Sequence, residues 1–165
     1  MSAVISQCGF YRLRLDRDVL VMLGGPVVAL IGVNPSTADA TENDQTIRKD
    51  LGFAGIHGWS RIIKGNKFAY RARDVREVGL ADDPIGPDCD AHLREIFAEA
   101  DIIVPCWGRL AKLPARLRSR WREVDAMMRA AGKPILCFGT AQDGHPLHTM
   151  TIPYSSPLVP WGAPT

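Results

Sequence analysis

The sequence predicts an α/β fold: three α/β/α layers, a mainly parallel central sheet of about four strands, and an N-terminal β-hairpin. Three observations predict it. Apolar, β-branched runs recur as "PVVALIGV" (26–33), "DIIVPCWG" (101–108) and "KPILCFG" (133–139), the pattern of strands buried on both faces. Stretches with helical spacing separate them, which is the alternation that produces parallel pairing with helices on both faces. Each run then ends in a polar loop.

The elements follow in order. In "FYRLRLDRDVLVMLGG", Tyr11, Leu13 and Leu15 alternate with Arg12 and Arg14. That period of two, interrupted by Asp16, Arg17 and Asp18 and resumed over 19–23, predicts a hairpin with one wet face. Residues 43–58 place Ile47, Leu51 and Ala54 on one helical face, with Asn43 or Asp44 as cap and Gly58 as stop. "WSRIIKGNKFAY" is a further extended segment. A short helix is expected in 74–84 and a longer one in 87–100. Residues 113–132 are expected to form an amphipathic helix through Leu113, Leu117, Trp121, Val124 and Met128. The proline-rich tail "SSPLVPWGAPT" is expected to wrap the surface.

A length of 165 residues predicts a single domain over 1–165 with a core of its own. The net charge of +2 indicates neither disorder nor a strongly basic tail, although a local basic face is enough to bind nucleic acid. No apolar stretch approaches the roughly 20 residues of a membrane span, so no membrane partner is expected. The first residues lack a basic start followed by an apolar core, so no secretory signal is expected and a cytoplasmic location is. Cys8, Cys89, Cys106 and Cys137 are scattered without ligand spacing, which favours buried thiols over a metal site.

In a parallel sheet, ligands bind beyond the C-terminal strand ends. The loops there are 34–44, 66–72, 107–113 and 140–148. They contain no nucleophile elbow, P-loop or dinucleotide fingerprint, so no cofactor is expected. They offer amide, hydroxyl and imidazole groups instead: Asn34, Ser36, Thr37, Asn66, His145 and His148. An amide can hold a water and can present a paired donor and acceptor to a base edge. Asn34, Pro35 and Ser36 also make an ordinary turn. Asp39 and Asp44 suit helix caps, and Arg48 either pairs with one of them or faces the pocket. The basic run from Arg109 through Arg122 is a solvated helix face or a phosphate contact.

"GVNPS" resembles the first motif of the uracil-DNA glycosylase superfamily, "IIKGNKFAYRA" its second strand, "IIVPCWGRLAK" its W-G strand end, and "TAQDGHPLH" its closing His-Pro loop. The chain also resembles an uncharacterised bacterial and phage family, domain of unknown function 1643, whose members carry N-P-S-T-A-D and D-G-H-P loops. The first resemblance implies a DNA N-glycosylase, a hydrolase of base excision. Its carried-over catalytic residues are Asn34, which positions the water, and His145, which hydrogen-bonds the departing base. Asn66 then reads the pyrimidine edge with Phe68 stacking nearby; Trp107 and His148 complete the substrate-binding set. Ser36 stands where one branch has a tyrosine crowding the pyrimidine 5-position, which implies a 5-substituted or modified pyrimidine. The implied partner is DNA, single-stranded or duplex with a flipped base, or a free nucleotide. The alternative is a binding module for a nucleobase, nucleotide or modified DNA that does not turn over. Asn34 where the stronger branch has Asp, and the shortened His145 loop, favour it.

Overall fold

The computed structural model describes residues 1–19 and 24–164. Strands β1 (Ser2–Ile5), β2 (Arg12–Asp18), β3 (Val27–Gly32), β4 (Arg61–Asn66) and β5 (Ile102–Pro105) form one sheet in the order β1-β2-β4-β3-β5. β3 lies parallel to both β4 and β5, whereas β1 with β2 and β2 with β4 run antiparallel. The sheet is therefore mixed, with five strands, and the expectation of a mainly parallel sheet of about four is corrected.

The reason lies in residues 16–18. Three successive charges predicted a turn there, yet they continue β2 because each finds a partner. Arg14 clasps Asp16 at 2.7 and 2.8 Å, and Met1 reaches Asp18 at 3.4 Å. Arg17, fully buried, donates to Asn43 Oδ1 at 2.6 Å and to the carbonyls of Asp39 and Glu42. With its charges satisfied, the strand inserts between β1 and β4. The hairpin is thus β1 with β2; of the return strand expected over 19–23, residues 20–23 lie outside the described residues.

Side chains alternate along β3. Val28 and Leu30 face Ile62, Phe138 and the helix α1 (Gln45–His57) through Phe53 and Ala54. Ala29 and Ile31 face Ile63 and the helices α3 (Cys89–Glu99) and α4 (Arg120–Ala130) through Leu93, Ile96, Phe97, Val124 and Met128. Helices therefore cover both faces; the fourth, α2 (Val75–Val78), is a single turn at the cavity edge. Each fully buried aliphatic side chain of this kind contributes about 1.5–3 kcal/mol. α1 starts where the Asp44 carboxylate accepts the N–H of Ile47 at 2.9 Å and ends at Gly58, whose φ of 71° suits a residue without Cβ.

Two segments are shorter than expected. Pro114 forces Leu113 into an extended conformation, so the helix begins only at Arg120, and Leu113 and Leu117 pack instead with Phe68 and Val78. Of 133–139, only β6 (Leu136–Cys137) is strand. It pairs antiparallel with β7 (Val159–Pro160), while Ile135 bridges Ile103 of β5 in parallel. The tail consequently enters the core: Trp161 is buried and meets Trp107 edge-on at 5.3 Å. Among the described residues, no helix is long and apolar enough to cross a membrane.

Candidate functional site

A cavity of about 820 Å³ opens beyond the C-terminal ends of β3, β4 and β5. Its floor is Gly32, the last residue of β3, beside Asn66, the last of β4, and Lys64, all of which line it. A Cβ at Gly32 would stand 2.9 Å from Asn66 Oδ1 and 3.4 Å from Lys64 Cε, so the floor admits no larger residue there without displacing Asn66. The walls come from Asn34 and Ser36 after β3, from the start of α1, from Arg73 and Asp74, from the segment after β5 at Trp107, Arg109 and Lys112, and from Leu147 and His148.

Asn34 is held in a defined pose. Its Nδ2 donates to Ala72 O at 2.8 Å and to Pro35 O at 3.0 Å, leaving Oδ1 as the acceptor end of the amide. Asn66 is the reverse case. It is buried on the cavity, and its Nδ2 has no hydrogen-bond partner among the described residues. An unmet buried donor of this sort costs about 1–3 kcal/mol, which a ligand acceptor would recover.

His148 lines the cavity with a fixed tautomer. Its Nδ1 accepts the backbone N–H of Met150 at 3.1 Å, so in the neutral ring the proton sits on Nε2. Burial, with Lys64 adding to it, pushes the imidazole pKa down to about 4, and the ring is a neutral donor at physiological pH.

Lys64 sits in a buried ion pair. Its Nζ lies 2.7 Å from Asp50 Oδ2 on α1 and 3.6 Å from Cys106 Sγ. Burial opposes the charge, but Asp50 outweighs it and holds the ammonium above its ordinary range. Arg12 is nearly as buried; one Nη donates to Ala38 O at 2.8 Å, and its Nε has no partner among the described residues. Burial pushes its pKa down to about 10, with Asp44 pulling the other way.

Of the expected site residues, Asn34, Ser36, Asn66, Trp107 and His148 line this cavity, and His145 and Phe68 do not. His145 sits behind Trp107, whose Nε1 donates to its Nδ1 at 3.4 Å, and its ring packs edge-on against Trp121 at 5.0 Å. Phe68 is fully buried among Ala72, Val78, Leu113 and Leu117 and does not line the cavity. The His-Pro loop is drawn inward by bonds from Gly108 N to Pro146 O and from Leu147 N to Gly139 O, which turns His148 to the cavity in place of His145.

The basic run divides. Arg116 donates to Gly79 O and Ala81 O, Arg118 to Leu113 O, and Arg120 to Lys67 O and to the carboxylates of Asp90 and Glu123. Arg122 lies over the Trp121 ring. Only Arg109 and Lys112 of the run reach the cavity. Asp39 is consumed by Thr41 and Glu42, Asp44 by the α1 cap, and Arg48 does not line the cavity. Sequence reasoning passed over Arg12 and Lys64. The signal for Lys64 was available: an ionisable residue inside "IIKGN", a run otherwise fit for burial.

Cys89, Cys106 and Cys137 are buried free thiols and Cys8 is exposed. Among the described residues, no group of three His, Cys, Asp or Glu side chains is placed to hold a metal ion. No curated protein and no solved structure matches the chain. A family model does, over residues 12–150, and by that match the chain belongs to the family described as protein of unknown function DUF1643.

Proposed function

We propose that the cavity receives a pyrimidine base turned out of its stack and that the protein hydrolyses the N-glycosidic bond of that nucleotide. The assignment to a uracil-DNA-glycosylase-like fold and activity rests on the four motifs in "GVNPS", "IIKGNKFAYRA", "IIVPCWGRLAK" and "TAQDGHPLH". The observation that carries the reading is Asn66: a buried side-chain amide beside the cavity whose donor end has no partner among the described residues, as a reader of a base carbonyl requires.

The other groups fit the same chemistry. Asn34 Oδ1, the end of the amide not tied to the backbone, accepts a hydrogen bond from a water and aims it at C1′. The water oxygen bonds to C1′ as the C1′–N bond breaks, and the bonding pair leaves on the base. The Nε2–H of His148 hydrogen-bonds the carbonyl oxygen where that charge accumulates. The water's surplus proton goes to solvent, since an amide cannot hold it. Ser36, small and on the wall, leaves space beside C5 for a substituent, so a modified pyrimidine is the expected substrate.

A second reading, a binding module without turnover, is favoured by one feature: position 34 carries an amide and no carboxylate. Oligonucleotides containing uracil, mismatched thymine or 5-hydroxymethyluracil, incubated with the protein and then treated with alkali, decide between the two. Strand breaks that vanish in Asn34→Ala and His148→Ala establish excision. Intact strands on every substrate, with binding retained, establish the binding module.

A further inference from the structure

The cavity carries more positive charge than its own carboxylates neutralise. Five cations line it, Arg12, Lys64, Arg73, Arg109 and Lys112, against Asp44 and Asp74. The pairs then cancel unevenly. Lys64 is matched by Asp50 just behind the wall. Asp74 is taken by Arg76, outside the cavity, at 2.5 Å, and Asp44 caps α1. Among the described residues, Arg12, Arg73, Arg109 and Lys112 have no carboxylate within 4.0 Å.

Arg12 is the telling member. A guanidinium only 3% exposed, with its Nε unpaired and no carboxylate within 4.0 Å among the described residues, is an unfavourable arrangement in a closed protein and a favourable one when an anion enters. Arg73, Arg109 and Lys112 are exposed around the same cavity, free of the backbone contacts that occupy Arg116 and Arg118.

We propose that Arg12, Arg73, Arg109 and Lys112 form an anion subsite that takes a phosphate group of the ligand, with Arg12 as its buried anchor. This rests on the nucleotide reading above and extends it: the substrate is recognised as a phosphorylated species, and a nucleoside lacks the anion that the subsite meets. The phosphate belongs either to a free nucleotide or to a strand.

The test is calorimetric titration with thymidine, thymidine 5′-monophosphate, pentathymidylate and deoxyribose 5-phosphate at two salt concentrations. At least one phosphorylated thymidine ligand is expected to bind 10-fold or more tightly than thymidine. That ratio is expected to fall at least threefold in Arg109→Gln/Lys112→Gln, which alters exposed residues only, and in Arg12→Gln. A gain already complete with the monophosphate assigns the subsite to a free nucleotide. A gain appearing only with pentathymidylate, with a salt slope that flattens by about 0.7 for each cation removed, assigns it to a strand. Equal affinity for thymidine and both phosphorylated forms, or a ratio unchanged in the variants, overturns the subsite and leaves the base pocket standing. Deoxyribose 5-phosphate binding as well as the monophosphate supports the subsite and instead overturns the base pocket.

Discussion

The indole Nε1 of Trp107 donates to Nδ1 of His145 at 3.4 Å, and that bond separates the two histidines of the His-Pro loop into different roles. His145 braces a cavity wall from behind, whereas His148 presents to the cavity itself. If His148 stabilises the departing base, His148→Ala lowers the excision rate by about 10²–10³, the usual cost of removing such a donor, with little change in ligand affinity. His145→Ala instead lowers stability by about 1–3 kcal/mol through the orphaned indole N–H. Single-turnover kinetics and urea melts on both variants separate the effects; a His145 variant with the larger rate loss would return the catalytic role to it.

The Lys64–Asp50 pair ties α1 to the sheet under the cavity floor. Both side chains are buried, and Asp50 Oδ1 has no partner of its own among the described residues. Removing one charge strands the other, so Asp50→Asn is expected to cost about 3–5 kcal/mol. The double change Lys64→Met/Asp50→Leu, which leaves no buried charge, should recover most of that loss. Chemical denaturation of wild-type and the two variants measures it, and a double variant no more stable than Asp50→Asn contradicts the argument.

Lys67 gives the fold a pH dependence. Its Nζ is buried 5.0 Å over the Trp107 ring without a hydrogen-bond partner among the described residues, and burial, with Arg120 adding repulsion, pushes its pKa down to about 7. The unfolded chain keeps this amine near 10.5 and so binds more protons than the folded one between those values. Unfolding free energy from this group therefore rises with pH from about 7 to 10.5. Urea melts at pH 6.5 and 9 should show wild-type gaining stability relative to Lys67→Met, whose difference across that range is smaller. Tryptophan fluorescence with a component that titrates near pH 7 in wild-type and not in the variant reports the same proton.

These cases also mark where sequence reading succeeds. Continuous apolar runs located β3 and β5, the extended reading of 59–70 contained β4, and helical spacing located α1, because burial on known faces leaves a pattern in the residues themselves. Asp44 and Gly58 bounded α1 for the same local reason. What failed depended on partners distant in sequence. Residues 16–18 look like a turn until Arg17 meets the backbone of 39–42, and His145 looks like a ligand contact until Trp107 and Trp121 enclose it. Arg12 reads as the wet face of a hairpin, and only the chain after β3 folding over it makes it buried.

Asn34 is the position where the structure most changes an expectation. By residue type alone, Asn34→Asp restores a stronger water-activating group and should accelerate hydrolysis by about 10²-fold or more. The local geometry opposes this. Nδ2 is the donor to Ala72 O at 2.8 Å and Pro35 O at 3.0 Å, and a carboxylate would set an anionic oxygen against two carbonyl oxygens. The expected result is a loss of about 1–3 kcal/mol in stability with no gain in rate, because the carboxylate must turn away or take up a proton to remain. Thermal melts together with the alkali assay on Asn34→Asp check it. A faster enzyme of undiminished stability would mean that the link from Asn34 to Ala72 does not constrain the site.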